Sequence, residues 1–388
     1  MKEIKQILKA YEIARQKGQR VALATVVHVE GSSYRGPGAR MLVNEDGTLT
    51  GAISGGCLEG DALRKALMAI VENKTLLTTY DTSDDDDAIF GMGLGCNGII
   101  RVLIEPINHK DNANPIELLR EAMRTRKASV IVTFFSLRDK WSQLQGTHLL
   151  IKNDSAVFKS GIFALPVDIF LKDIHKTFEQ QYTCFVKYET SGISAENTTL
   201  TAIFEYLEPN VSLVIAGAGN DVFPLVNMAE ILGWQITLVD GRPAYATTSR
   251  FPSCQIVVSD ADKAFDNVLL DDRTAVVLMS HNYHYDKSLL KVLLSENYVP
   301  YIGMLGPKKK KDRILAELDE AGVLWQDEAL IRLFSPIGLN IGAETPEEIA
   351  LSIIAEIKAI FAKRESGFLR DYPGKIHSRN NQIINSRL

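Results

Sequence analysis

The chain has 388 residues, and this length predicts two or three domains. Hydrophobic residues make up 46% and charged residues 23%, which is typical of a globular protein with a full core. The formal net charge of −5 argues against a general nucleic-acid-binding or anionic-membrane surface, and no apolar run reaches transmembrane length. Four cysteines without paired spacing, and an amphipathic N-terminus instead of a signal peptide, predict a cytoplasmic protein with reduced thiols.

The first region of the chain, 1–105, is predicted to be an α+β domain that holds a cofactor. A helix and a buried strand over 2–29 precede a loop over 31–40 that contains three glycines and a proline. Arg35 and Arg40 in this loop are predicted to bind an anion, because guanidinium groups form fixed positive forks. An ordinary surface loop whose arginines face water is the alternative.

A glycine-rich turn then delivers a cysteine to the start of a predicted helix over 58–73. The backbone N–H groups of Gly55 and Gly56 are predicted to form an anion-binding nest at this helix terminus. The same terminus favours the thiolate of Cys57, and a soft thiolate suits a metal or sulfur chemistry. Cys57 is therefore a candidate metal ligand and catalytic thiol, with a small buried cysteine as the alternative.

Three motifs in this region carry a family resemblance. They are Gly-Ser-Ser-x-Arg-Gly-Pro-Gly-Ala-Arg-Met over 31–41, Asp-Gly at 46–47, and Gly-x-x-Ser-Gly-Gly-Cys-Leu-Glu over 51–59. Their order and spacing resemble the xanthine dehydrogenase accessory proteins of the XdhC/CoxI family. The resemblance implies a maturation factor that binds the molybdenum cofactor (molybdopterin), supports its sulfuration and inserts it into a molybdenum hydroxylase such as xanthine dehydrogenase. It also implies a homodimer and a sulfur-donating cysteine desulfurase as a partner. Arg35, Arg40 and the glycine amides would hold the anionic cofactor.

A second cysteine turn over 91–98 looks like another motif of that family. Gly95 and Cys96 match it, whereas Asn97 stands where the family usually has glycine; asparagine tolerates the left-handed backbone that such a turn needs. The resemblance implies that Gly95 and Cys96 bind the cofactor, with Cys96 as a second candidate catalytic thiol and a buried thiol as the alternative. It leaves open which of Cys57 and Cys96 contacts the cofactor.

The middle region, 106–206, begins with a polar segment bracketed by prolines over 106–115, which is either a linker or a long connection. A helix over 116–126 and several strands then predict a small α+β unit. This unit carries no recognisable chemistry, and its role is either to cap the site or to contact a partner.

The C-terminal region, 207–363, has the pattern of a Rossmann-like, doubly wound parallel sheet. A buried strand leads into a glycine turn with Gly217 and Gly219, and after a helix the next strand ends at Asp240. The glycines allow close approach of a ligand, and Asp240 lies where the ribose hydroxyls of a dinucleotide would bind. A lone Gly-x-Gly is a weak signal; together with Asp240 in register it supports this fold more strongly than it supports binding of NAD(P).

His281 follows the predicted strand over 275–279, and its position at a strand's carboxyl end favours a catalytic or ligand-binding role. One alternative is a metal site that His281 forms together with His284 and Asp286. The other is an ordinary surface loop. The turn and the helix start over 335–350 resemble the C-terminal motif of the same family, although a helix-capping box explains them by itself. Residues 364–388 are predicted to be a mobile tail.

The sequence therefore predicts an α/β protein with an N-terminal cofactor-holding domain, a small middle α+β unit and a C-terminal Rossmann-like domain. The function implied by the resemblance is that of a molybdenum-cofactor chaperone. The alternatives are an NAD(P)-dependent oxidoreductase that uses Gly217, Gly219 and Asp240, and an adaptor whose Rossmann-like domain is a docking surface.

Overall fold

The computed structural model describes residues 2–81, 98–137, 145–152, 157–160, 168–189, 199–295, 299–373 and 383–387. The chain forms two compact units, one of Met1–Pro209 with His377–Leu388 and one of Asn210–Ile376. The two regions predicted as an N-terminal domain and a middle unit both lie in the first of these. None of the helices in the described ranges is long and apolar enough to cross a membrane.

The bounds of the helices in the described residues are α1 Lys2–Gln16, α2 Glu59–Glu72, α3 Pro115–Ala122, α4 Asp168–Gln180, α5 Val222–Ile231, α6 Tyr283–Ser295, α7 Lys308–Glu320, α8 Asp327–Ile331 and α9 Pro346–Phe361. The strands of the first unit are β1 Val21–Gly31, β2 Arg40–Asn44, β3 Leu49–Gly51, β4 Leu76–Asp81, β5 Gly98–Pro106, β6 Ser129–Phe135, β7 Thr147–Lys152, β8 Val157–Ser160, β9 Cys184–Glu189, β10 Thr199–Leu207 and β17 Ile383–Arg387. Those of the second unit are β11 Ser212–Ala216, β12 Gln235–Asp240, β13 Gln255–Val258, β14 Thr274–Leu278, β15 Tyr301–Met304 and β16 Leu333–Phe334.

The first unit contains two sheets. One has the order β3-β2-β1-β5-β4, with β1 at its centre, and all its pairs are antiparallel. Because residues 21–29 are all buried, β1 has side chains packed on both of its faces. Helix α2 covers this sheet with a face of small residues, Ala62, Ala66 and Ala69, which are fully buried and allow close packing.

The other sheet of the first unit has the order β17-β9-β10-β6-β7-β8. Its edge strand β17 pairs in parallel with β9, whereas the remaining pairs are antiparallel. Strand β17 comes from 364–388, the segment predicted to be a mobile tail, and its residues 383–387 pair with β9. The segment lacks a helical or alternating pattern, and its pairing depends on an edge that only the folded first unit provides.

The connection over 106–115 belongs to the first unit and leads directly into α3. Asn114 is buried, and its side-chain oxygen accepts hydrogen bonds from the backbone N–H groups of Ile116 and Glu117, which caps the helix. Ile107 is also buried. The segment is therefore a packed connection and not a linker.

The second unit is a parallel sheet with the order β13-β12-β11-β14-β15-β16. The chain runs from β11 outwards to β13 and then returns to place β14 on the other side of β11. This reversal makes a topological switch point between β11 and β14, where open α/β sheets bind ligands. The predicted Rossmann-like fold is confirmed. The predicted capping box at α9 is also present, formed by Thr345 and Glu348.

Candidate functional site

The candidate site of the first unit is the turn of residues 53–59 between β3 and α2, called here the thiol turn. Gly56 adopts a φ of 110°, and a β-carbon added there would meet nothing within 4 Å. Cys57 is exposed one residue further on, just before α2, whereas Cys184 and Cys254 are buried. Among the cysteines that the structure describes, Cys57 alone is presented to solvent.

Ser54 organises the thiol turn. Its hydroxyl donates a short hydrogen bond to Glu59 Oε2 and accepts from the backbone N–H groups of Gly56 (3.2 Å) and Leu58 (3.1 Å). The thiol of Cys57 also lies within hydrogen-bonding distance, with 3.4 Å between Cys57 Sγ and Ser54 Oγ. Ser54 thus fixes both the backbone of the turn and the direction of the thiol.

Glu59 holds the other side of the same turn. Its Oε1 accepts from the backbone N–H groups of Ser54 (2.7 Å) and Ile53 (3.2 Å). Burial alone would raise the pKa of Glu59, but the hydrogen bonds from Ser54 and from the backbone outweigh burial and lower it. The predicted anion nest therefore needs correction, because the N–H of Gly56 already donates to Ser54 and a carboxylate of the chain takes neighbouring N–H groups.

Tyr34 lies against the thiol turn from the loop after β1. A β-carbon added at Gly55 would stand 3.4 to 3.7 Å from three atoms of the Tyr34 ring, Cγ, Cδ1 and Cδ2. The residue is nevertheless 72% exposed. Sequence reasoning missed Ser54, Glu59 and Tyr34 as site residues. The signal for the first two is a serine and a glutamate on either side of the Gly-Gly-Cys at a helix start.

The two arginines predicted to bind an anion both have carboxylate partners. Arg35 donates to both carboxylate oxygens of Glu3 at 2.7 and 2.8 Å, in a half-buried pair. Arg40 is buried and donates to both oxygens of Glu205 and to the carbonyl of Gly38. The predicted anion-binding role of Arg40 therefore needs correction, because its guanidinium neutralises the buried carboxylate of Glu205 on β10.

The second predicted cysteine turn, with Gly95 and Cys96, lies outside the described residues. The first described residue after it is Gly98, which begins β5 and pairs with Gly31 at the end of β1. Nearby, His28 of β1 is buried with its Nδ1 2.7 Å from a guanidinium nitrogen of Arg101. Burial, and next the positive charge of Arg101, lower the pKa of His28 to about 4.

The second unit has its own glycine turn at residues 217–221, between β11 and α5. Gly217 has a φ of 132°, and a β-carbon there would stand 2.5 Å from the carbonyl oxygen of Met279. Only glycine fits this position, which agrees with the tight turn predicted from the sequence. At Gly219 an added β-carbon would collide with Oδ1 of Asp221, so this carboxylate lies directly over the turn.

Asp240 has no acceptor position left for a ribose. Its Oδ2 accepts from the backbone N–H of Ala218 (2.8 Å) and from Nη2 of Arg242 (2.7 Å). Its Oδ1 accepts from the backbone N–H (2.8 Å) and Nε (2.9 Å) of Arg242. Burial alone would raise the pKa of Asp240, but these hydrogen bonds lower it. A carboxylate offers about four acceptor sites, and all four are used. The predicted ribose contact therefore requires Arg242 to move away.

His281 lies at the switch point, as its place in the sequence predicts. It adopts a left-handed backbone with a φ of 58°, and its Nε2 is 2.8 Å from Oδ2 of Asp221. The ring borders an open cleft of about 400 Å³, which is also lined by Met279, Tyr283, Leu305, Gly306 and Lys310.

The alternative of a metal site at His281, His284 and Asp286 finds no support. Asp286 is fully buried and pairs with Lys310 Nζ at 2.6 Å and with the hydroxyl of Ser280 at 2.5 Å. No group of three or more potential metal ligands occurs within the part of the chain that the structure describes.

Comparison with known protein families agrees with this architecture. Residues 14–81 match the XdhC and CoxI family, and residues 213–357 match the XdhC Rossmann domain. The first match contains the thiol turn, and the second contains the glycine turn, Asp240 and His281.

Similar proteins cover almost the whole chain. A protein of Bacillus subtilis named as a probable subunit of xanthine dehydrogenase is 32% identical over 87% of this chain and 92% of its own length. The molybdenum cofactor insertion chaperone PaoD of Escherichia coli is 22% identical, over 91% of this chain and 87% of its own. A crystal structure described as a xanthine dehydrogenase from Bacillus halodurans is 31% identical, with a TM-score of 0.71 over 94% of this chain and 98% of that one. This chain therefore belongs to the XdhC and CoxI family.

Proposed function

We propose that this chain is a maturation factor that binds the molybdenum cofactor as cargo and delivers it to a molybdenum hydroxylase of the xanthine dehydrogenase type. The observation that carries the proposal is the exposed thiol of Cys57, held by Ser54 at the start of α2. The name of the Escherichia coli relative, a molybdenum cofactor insertion chaperone, supports the same function.

The thiol turn fits the metal-sulfur end of this cargo. Thiolate sulfur is a soft ligand, and the open space around Gly56 leaves room for a bulky group beside Cys57. Cys57 would therefore contact the molybdenum or its exchangeable sulfur. Supporting sulfuration, with a cysteine desulfurase as sulfur donor, would use the same exposed thiol.

The phosphate end of the cargo needs a cation, and Arg35 is the better candidate of the two arginines. Its pair with Glu3 is half-buried, so a phosphate can replace the carboxylate at small cost. Arg40 cannot be released in this way, because its departure would leave Glu205 buried and unpaired. Binding as a homodimer remains part of the proposal.

The test is the molybdenum and pterin content of the protein purified anaerobically from a host that makes the cofactor. The wild type should carry cofactor, Cys57→Ala should lose it, and Cys254→Ala should retain it, because Cys254 is a buried cysteine of the other unit. A wild type without cofactor contradicts the chaperone function. Equal cofactor in wild type and Cys57→Ala would leave the function standing and reject the role of Cys57.

The oxidoreductase alternative receives no specific support from the geometry. The acceptor positions of Asp240 are filled, and the carboxylate of Asp221 lies over Gly219, where the phosphates of a dinucleotide approach in this fold. A chaperone role is therefore preferred to catalysis with NAD(P).

A further inference from the structure

Tyr34 is an exposed aromatic side chain that lies against the thiol turn at Gly55. One face of its ring is turned towards Gly55, because a β-carbon added at Gly55 would stand 3.4, 3.5 and 3.7 Å from Cγ, Cδ1 and Cδ2 of the ring. With 72% of the residue exposed, the ring remains largely open to solvent. An aromatic ring that is seated on one side and open on the other is suited to stacking with a second planar ring.

The loop around Tyr34 is anchored on both sides of the residue. The hydroxyl of Ser33 donates to the backbone carbonyl of Arg35 at 2.6 Å, and Arg35 is tied to Glu3 of α1 by two hydrogen bonds. The backbone on both sides of Tyr34 is therefore held before a ligand arrives, which reduces the entropy lost on stacking.

The ring lies beside the turn that carries the exposed thiol. Gly55, which the Tyr34 ring faces, is two residues from Cys57, so the Cα atoms of Gly55 and Cys57 are at most about 7 Å apart. A single small ligand can thus touch the thiol with one end and the ring with the other.

We propose that Tyr34 is a stacking platform for the planar pterin ring of the cargo whose metal end meets Cys57. This inference rests on the proposed function and adds to it the residue that recognises the organic part of the ligand. Stacking on an exposed aromatic side chain contributes about 1–3 kcal/mol for a nucleobase-sized ring, which corresponds to roughly 5- to 150-fold in affinity.

The experiment measures the affinity of the full-length protein for molybdenum cofactor released anaerobically from a molybdenum hydroxylase. Tyr34→Ala should bind about tenfold more weakly than the wild type. Tyr34→Phe should bind like the wild type, because it keeps the ring. Tyr372→Ala is the matched control, since Tyr372 is another exposed tyrosine and lies in the second unit.

A second readout separates stacking from damage to the turn. The rate at which iodoacetamide alkylates Cys57 should be the same in the wild type and both Tyr34 variants. Unchanged cofactor affinity in Tyr34→Ala would overturn the platform, and so would an equal loss in Tyr34→Phe or an altered alkylation rate. Absence of cofactor binding by the wild type would instead overturn the proposed function itself, together with this inference.

Discussion

The thiol turn and the glycine turn are built alike, but they differ in how a carboxylate of the chain is placed at the turn. Each joins a strand to a helix through glycine at positive φ, and in each a carboxylate of the chain lies at the turn. At the thiol turn the carboxylate of Glu59 accepts hydrogen bonds from the backbone N–H groups of Ile53 and Ser54, and Cys57 is exposed. At the glycine turn Oδ1 of Asp221 is 2.4 Å from the position that a β-carbon of Gly219 would take. Glycines at a helix start therefore do not by themselves define an anion site, because the chain's own carboxylates can take the donors.

The largest expected effect distinguishes the two arginines near the thiol turn. Arg40→Met should lower the free energy of unfolding by about 3–5 kcal/mol, because it leaves the carboxylate of Glu205 buried without a partner. Arg35→Met, the matched variant, should cost only about 1 kcal/mol, since its pair with Glu3 is partly exposed to solvent. Denaturant unfolding monitors both, and equal losses would contradict the division of roles.

The next effect contrasts the space around the two turns. Gly217→Ala should destabilise the second unit by more than about 3 kcal/mol, because the new methyl group collides with the Met279 carbonyl and the backbone has positive φ. Gly56→Ala meets no atom within 4 Å, so its cost should be only the backbone strain of a φ of 110°, about 1–3 kcal/mol. Thermal unfolding of the two variants measures this difference. A loss for Gly56→Ala as large as that for Gly217→Ala would show that the thiol turn is not open.

A third effect concerns pH and the strand that leads to the Tyr34 loop. The pKa of His28 is lowered to about 4 in the folded protein. As the pH falls, the unfolded chain therefore binds a proton at His28 near pH 6.5, whereas the folded protein binds it only near pH 4. His28 therefore contributes stability above pH 6.5, and this stability is lost as the pH falls towards 4. From about pH 7 to about pH 5 the wild type should lose about 2 kcal/mol more than His28→Phe. Parallel pH profiles of the two proteins would reject this account.

The smallest effect concerns the closed state of the glycine turn. Titration with NAD or NADP should give no saturable change in fluorescence at millimolar ligand. Asp221→Asn, which removes the charge over Gly219, should improve binding by about tenfold at most, or about 1.4 kcal/mol. Asp319→Asn, an exposed change on α7, serves as the control for net charge. Micromolar binding of NAD or NADP by the wild type would contradict this difference between the two turns, because it would mean that a ligand easily displaces the side chains of Arg242 and Asp221.

The sequence by itself determined the features that depend on neighbours along the chain. The apolar runs and their spacing predicted the parallel sheet of the second unit. The Gly-Gly-Cys sequence placed Cys57 at a helix start, and Thr345 and Glu348 predicted their capping box. These features are local, because the residues that form each of them lie within one turn or one strand of one another.

The tertiary structure alone decided which charged groups are available. Arg40 and Glu205 are 165 residues apart, and His281 and Asp221 are 60 apart, so no local pattern could pair them. Likewise β17 acquires its structure from the edge that β9 offers. The physical reason is that a buried charge must find a partner, and the fold brings that partner from a distant part of the chain. The sequence shows which residues can do chemistry, and their contacts in the fold decide which of them are available for it.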